Sequence, residues 1–349
     1  MSHISARRAK NAWISSKNTD EGGSALIFKN AFHLLVDNFK LNYKMLLYKL
    51  VAAVITLALG AALLYPTLNA LVTSAPFREL TDLLGSFFKA VVSGNTEFLS
   101  TFSETLQGKV SALLAFLQKN TPNIVLFFVL FAVVVLVHRF LDGIGNFVFG
   151  CLLDDKMSSY ADTRFFGSYI SNLGKAALWQ VVYVPVTFLY DMVTIAVCYV
   201  FFLVMLSIIS AAIVASFAAL MLSVALILAA QALKLTLLND VAPALVSDKM
   251  HLGAALKRGF SYEKKRFGGL FSIYFITCVL ILCINVLCGV ASFGAALLIT
   301  VPMSYLMLTS VQYVSYYTHG KKKYFLAEDN IVLPKGERTD ENFYDDFEV

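Results

Sequence analysis

The chain has 349 residues, of which 58% are hydrophobic and only 15% charged, with a formal net charge of +5. Soluble domains carry about a quarter charged residues, and the shortfall here is concentrated in long runs free of Lys, Arg, Asp and Glu. That excludes an ordinary soluble globular domain, which would need more polar surface, and predicts an all-α polytopic membrane protein.

Residues 1–45 are polar and basic, with Arg7, Arg8, Lys10, Lys17, Lys29, Lys40 and Lys44. The first apolar run begins too late for a cleavable signal peptide, so the first span is expected to serve as its own insertion signal. Within this segment, "SALIFKNAFHLLVDNFKLNYK" sets Phe28, Phe32, Leu35 and Phe39 at three- to four-residue steps, one face of an amphipathic interfacial helix.

A crossing helix needs roughly 20 apolar residues. Residues 46–65 and 123–140 give spans 1 and 2. Between them, residues 76–119 read as an amphipathic helical hairpin outside the membrane. Its first arm carries Leu80, Leu83, Leu84, Phe87, Phe88 and Val91, its second Leu99, Phe102, Leu106, Val110, Leu113 and Leu117, with Ser93-Gly94-Asn95 as the turn. Residues 141–177 are expected to be a loop that carries another amphipathic helix before span 3.

The run 178–238 contains only two charges, Asp191 and Lys234, and holds either two helices or three. Basic residues near span ends stay cytoplasmic. The following segment, 239–268, has six: Lys249, Lys257, Arg258, Lys264, Lys265 and Arg266. Loop 66–122 has only four. Two helices in the long run put the basic segments on one side and the poor loop on the other. Spans 5 and 6 follow at 270–288 and 291–315, turning near Gly289. The prediction is therefore six spans in a membrane domain 46–317, with both termini cytoplasmic and spans 3–4 and 5–6 as tight hairpins. A cytoplasmic tail, 318–349, ends in acidic, solvated composition.

The approaches to spans 1, 3 and 5 share a form. Leu256, Phe260, Phe267 and Phe271 match Phe28, Phe32, Phe39 and Tyr43 at an offset of 228, and Phe166 and Leu173 match Phe32 and Phe39 at 134. This suggests three copies of an interfacial helix, a basic elbow and a pair of spans. The alternative is that any helix crossing outward is preceded by aromatic and basic residues. Lys257, Arg258, Lys264, Lys265 and Arg266 form the most basic elbow and are assigned to lipid-headgroup contact, each worth about 1 kcal/mol near an anionic surface.

Chemistry is sparse. Asp191 is the only acid within an apolar span and the best intramembrane polar candidate, either paired with a neighbouring helix or serving a proton or ion. Pro185 and Pro302 are expected to kink spans 3 and 6. "DGIGN" at 142–146 follows an apolar helix and is no phosphate loop. The five cysteines read as packing residues, and no pattern of metal ligands, Walker residues or a GxSxG nucleophile occurs. No enzyme, metal or cofactor is expected, and no nucleic-acid partner.

The stretches "ALIFKNAFHLLVDNFK", "AALKRGFSYEKKRFGGLFSIYF" and "ITVPMSYLMLTSVQYVSYY" resemble a group of bacterial six-span membrane proteins. That group includes the membrane domain fused to some glycerophosphodiester phosphodiesterases. The resemblance implies a bacterial cytoplasmic membrane protein concerned with lipids or the envelope, and carries over no catalytic residue. Two functions compete at this point. One is a non-enzymatic scaffold or accessory engaging lipid headgroups, with a membrane-protein partner or a second copy of itself. The other is a small-solute or lipid transporter, or the membrane subunit of one.

Overall fold

The computed structural model describes residues 23–93, 96–208, 212–261, 264–328 and 330–333. The chain is helical almost throughout. Helix α1 covers 23–37. It is followed by α2 (Lys40–Val72), α3 (Ala75–Ser93), α4 (Thr96–Lys119), α5 (Thr121–Ser159), α6 (Phe165–Ile208) and α7 (Ala212–Leu237). Two short helices, α8 (Val241–Val246) and α9 (Leu252–Gly259), precede α10 (Lys264–Ala291) and α11 (Leu297–His319). An antiparallel pair, β1 (Tyr324–Ala327) and β2 (Asn330–Val332), closes the described chain. Among the described residues, six helical stretches are long and apolar enough to cross a membrane. The 61-residue apolar run is divided between two helices, α6 and α7, as the charge distribution requires.

Two compact units are present, Val51–Arg139 and the remainder, Met1–Leu50 with Phe140–Val349. In the first, the later part of α2 and the early part of α5 approach each other where Gly60 faces Val134, and Thr56 Oγ1 lies 3.2 Å from His138 Nδ1. Helices α3 and α4 form the expected hairpin. Its bend, 94–95, lies outside the described residues. Phe87 stacks on Phe102 with centroids 4.3 Å apart, and Lys109 donates to Glu79 at 2.7 Å. Leu83 and Ala90 are buried between the arms, whereas Leu84, Phe88, Val91 and Val92 point outward.

In the larger unit the core is confined to one end, called the base below. It is built from α1, the start of α2, the later part of α5, the first part of α6, the last turns of α7, the short α8 and α9, the start of α10, the later part of α11 and β1. Beyond the base, α6, α7, α10 and the first turns of α11 expose apolar residues such as Leu189, Val193, Phe217, Leu287 and Leu298. Water would oppose such exposure, whereas hydrocarbon does not.

Several expectations change. Residues 141–177 are not a loop: α5 runs to Ser159, α6 starts at Phe165, and only 160–164 connect them. The reason lies in the glycines of "DGIGN", which serve close packing inside a helix. A Cβ at Gly143 would fall 2.1 Å from Gln180 Oε1, and one at Gly145 would fall 2.1 Å from Tyr48 Cε1. The amphipathic segment before span 3 is accordingly the first part of the 44-residue α6 rather than a separate element. Before spans 1 and 5 the helices α1 and α9 are separate.

Helix α1 and the turn after it bury Ile27, Asn30, Ala31, Leu34, Leu35 and Asn38, while Phe32 and Phe39 are exposed. The expected row is therefore split: Phe32 and Phe39 face away from the protein, whereas Leu35 is buried and Phe28 packs against the core. Phe260, the counterpart of Phe32, is exposed as well. The turn between α10 and α11 lies at 292–296, beyond Gly289, with Phe293 and Gly294 both at positive φ. The tail folds back: Tyr324 and Leu326 of β1 join the core, and Asn30 donates to Tyr324 Oη at 2.9 Å. The acidic end, 334–349, lies outside the described residues.

Gly145→Val is expected to lower the thermal midpoint of the detergent-solubilised protein, because the added methyls displace the Tyr48 ring at a cost of about 1–3 kcal/mol. Gly108→Val, at an open site on α4, serves as the comparison. Equal midpoints for the two variants would contradict the close approach.

Candidate functional site

Every charged side chain placed among apolar helices has to find a partner, since an isolated ion in a low-dielectric interior costs many kcal/mol. Asp191 is 8% exposed on α6. It accepts from Lys234 Nζ at 2.9 Å and from Gln231 Nε2 at 3.2 Å, both on α7. The i, i+3 spacing of Gln231 and Lys234 puts the two donors on one helix face. One residue earlier on each helix, Tyr190 Oη donates to the Ala230 carbonyl at 2.7 Å. The two charges of the apolar run thus close on each other across one hairpin.

A second pair joins Lys49 of α2 to Asp142 of α5, and the Lys49 ammonium sits 3.5 Å from the Tyr305 ring centroid. Tyr48 beside it donates to the Leu141 carbonyl at 2.6 Å. Sequence reading missed this pair because it placed Asp142 in a loop. The available signal was a lone Lys in span 1 and a lone Asp directly after span 2.

The base holds a denser polar assembly. Asn239, fully buried at the end of α7, is its hub. Its Oδ1 accepts from Tyr274 at 2.5 Å and Ser315 at 2.9 Å, its Nδ2 donates to Asp240 at 2.7 Å, and its carbonyl accepts from Gln312 at 2.9 Å. Asp240 also takes Arg266 at 2.7 Å. Asp154 of α5 accepts from Ser247 and from Tyr317 at 2.8 Å.

Asp248, in the link between α8 and α9, is held by three donors. These are Arg258 at 2.5 Å, Tyr316 at 2.5 Å, and Lys322 from the arm after α11. Arg258 and Lys322 also lie over the Tyr316 ring, 4.9 and 5.0 Å from its centroid. Desolvation by itself would raise the Asp248 carboxyl, but the bonds from Lys322 and Tyr316 and the charges of Lys322 and Arg258 outweigh it and lower its pKa.

The elbow expected to meet lipid headgroups is therefore divided. Arg258 and Arg266 pair with Asp248 and Asp240, while Lys257 is exposed. The side chains of Lys264 and Lys265 lie outside the described residues. Pro185 and Pro302 both fall inside helices, α6 and α11, that continue through them. Near Pro302, Asn285 of α10 bridges to Ser304 at 3.0 Å and accepts from Thr300 at 2.7 Å, which ties the second hairpin together.

Compared with known proteins, the chain matches no family model, no curated protein and no solved structure.

Lys234→Met, which strands Asp191, should destabilise the protein by about 3–5 kcal/mol, and the double change Asp191→Leu with Lys234→Met should recover most of that. Chemical unfolding in detergent reads the difference; a double variant as unstable as the single one would contradict simple charge pairing. For Asp248 the folded pKa is depressed, so its contribution is complete above its unfolded value of about 3.9 and is lost as pH falls through the lower folded value. Proteolysis of the C-terminal arm should accelerate on acidification in that range, and Asp248→Asn should cleave fast already at neutral pH. An arm whose cleavage is independent of both pH and Asp248 would contradict the latch.

Proposed function

We propose that this integral membrane protein is a non-enzymatic scaffold or accessory of a bacterial cytoplasmic membrane, with its base on the inner face, where it engages anionic lipid headgroups and an envelope partner. The observation that carries the reading is the gathering of α1, the segment 239–268 and the arm after α11 at one end of the helices. Asp248 bonds to Lys322 and Asn30 to Tyr324, so these three segments share that end. They belong to the most basic stretches of the chain, and basic residues near span ends stay cytoplasmic.

The bacterial and lipid-related setting rests on the resemblance of the approaches to spans 1 and 5 to bacterial six-span membrane proteins. Transport is the competing reading, and Asp191 is the residue it would use. The carboxylate is already engaged by Lys234 and Gln231 within a single hairpin, which favours a static role as helix glue.

Reporter fusions at Lys249 and after Val349 should read cytoplasmic and one at Asn95 external; a cytoplasmic signal at Asn95 sinks the topology. For function, the delipidated full-length protein should bind phosphatidylglycerol in preference to phosphatidylcholine by native mass spectrometry. Preference should fall by roughly a hundredfold in the triple variant K257A/K264A/K265A, at about 1 kcal/mol for each lysine near an anionic headgroup. Binding without preference between the two lipids would overturn the reading.

A further inference from the structure

The latch at Asp248 joins two basic stretches that are far apart in the chain. Arg258 brings the end of α9, with exposed Lys257 beside it. Lys322 brings the arm after α11, with exposed Lys321 and Lys323 on either side. Lys249, also exposed, follows Asp248 itself. Two cations on one carboxylate leave an excess of positive charge before the four exposed lysines are counted. Segments that carry like charge and are tied to one carboxylate make an electropositive surface, and anions are drawn to such a surface.

The chemistry beside the charge is apolar. Phe260 caps the C-terminus of α9, two residues after Arg258, and is 61% exposed. An aromatic ring at the edge of a lysine cluster suits the boundary between headgroups and acyl chains. A soluble anion would make no use of that ring. The α9 helix is held rigidly enough to present it: Gly259 packs so closely on Val241 of α8 that a Cβ would lie 2.5 Å from Val241 Cγ2.

We infer that Lys249, Lys257, Lys321 and Lys323, assembled around the Asp248 latch and flanked by Phe260, form one binding surface for the phosphate of an anionic phospholipid. The surface differs from the elbow expected from sequence. It includes the lysine triplet after α11 and commits Arg258 and Lys322 to internal pairing rather than to the lipid. The inference rests on the lipid-engaging reading above and sharpens it by naming the C-terminal arm as half of the site.

The test uses the delipidated full-length protein in neutral detergent, titrated with dioleoyl phosphatidylglycerol, dioleoyl phosphatidylcholine or inorganic phosphate, with bound lipid counted by native mass spectrometry. K321A/K323A should weaken phosphatidylglycerol binding roughly thirtyfold, and K257A alone about fivefold. K89A/K119A, on the α3–α4 hairpin, should bind as the unaltered protein does. Phe260→Ser should weaken phosphatidylglycerol binding while leaving the arm as resistant to protease as before. If K321A/K323A binds like the unaltered protein while K257A/K264A/K265A is impaired, the shared surface is wrong and the simpler elbow stands. If neither variant changes binding, both readings fail. If inorganic phosphate displaces phosphatidylglycerol at equal concentration, the occupant is a free anion and the lipid assignment is overturned.

Discussion

A charged group among apolar helices is stable only when another group compensates it, and the larger unit is organised around that constraint. Asp191 finds Lys234, Asp142 finds Lys49, Asp240 finds Arg266, and Asp248 finds Arg258 and Lys322. Apart from Asp191–Lys234, which lies within an expected hairpin, these pairs join segments that the helix pattern alone would leave unconnected. Asp191–Lys234 sets the register of α6 against α7, and Asp248 ties the link after α8 to both α9 and the arm beyond α11. Tyr274, Ser315, Tyr316 and Tyr317 take up further donors and acceptors, whereas the Tyr313 hydroxyl in the same core is buried with no hydrogen-bond partner among the described residues. A half-satisfied network of this kind would cost more than an apolar one.

The same constraint explains why the core lies at one end. In hydrocarbon, apolar side chains gain little by meeting each other, so helix contacts depend on close packing and polar bonds. The distal parts of α6, α7 and α10 consequently expose Leu, Val and Phe and touch their neighbours at few polar points, such as Asn285 with Ser304 and Thr300. At the base, the short helices and the strand pair bring backbone and tyrosine hydroxyls that require partners. There the packing is that of a soluble protein, with Tyr274, Tyr313, Tyr316 and Tyr324 fully buried.

What was legible in the sequence followed from composition and local period. The apolar runs marked the spans, the charge distribution divided 178–238 into two helices, and the steps of three and four in 76–119 gave the α3–α4 hairpin. What was not legible depended on contacts between distant segments. Residues 141–177 read as a loop after span 2, because glycines such as Gly143 and Gly145 can end a helix or admit Gln180 and Tyr48, and the two look alike in one dimension. Which face of α1 meets the rest of the protein was not legible for a related reason. Both of its sides are apolar, and only the neighbours decide that Leu34 and Ala31 go inward and Phe32 outward. The strand pair at 324–332 left no period long enough to read.

The sequence by itself therefore determined the solvent of this protein. Its apolar length and scarce charge predict six spans, and the distribution of Lys and Arg predicts their direction, because transfer free energies are additive along a chain and need no fold. Only the tertiary structure decided which charges are spent on internal pairs and which remain at the surface. Arg258 and Lys257 are adjacent and equally basic, yet one is bound to Asp248 and the other is exposed. Lys322 belongs to that site although it lies 74 positions from Asp248. Pairing is a property of distance in space, which falls off within a few ångströms, and no local pattern records it.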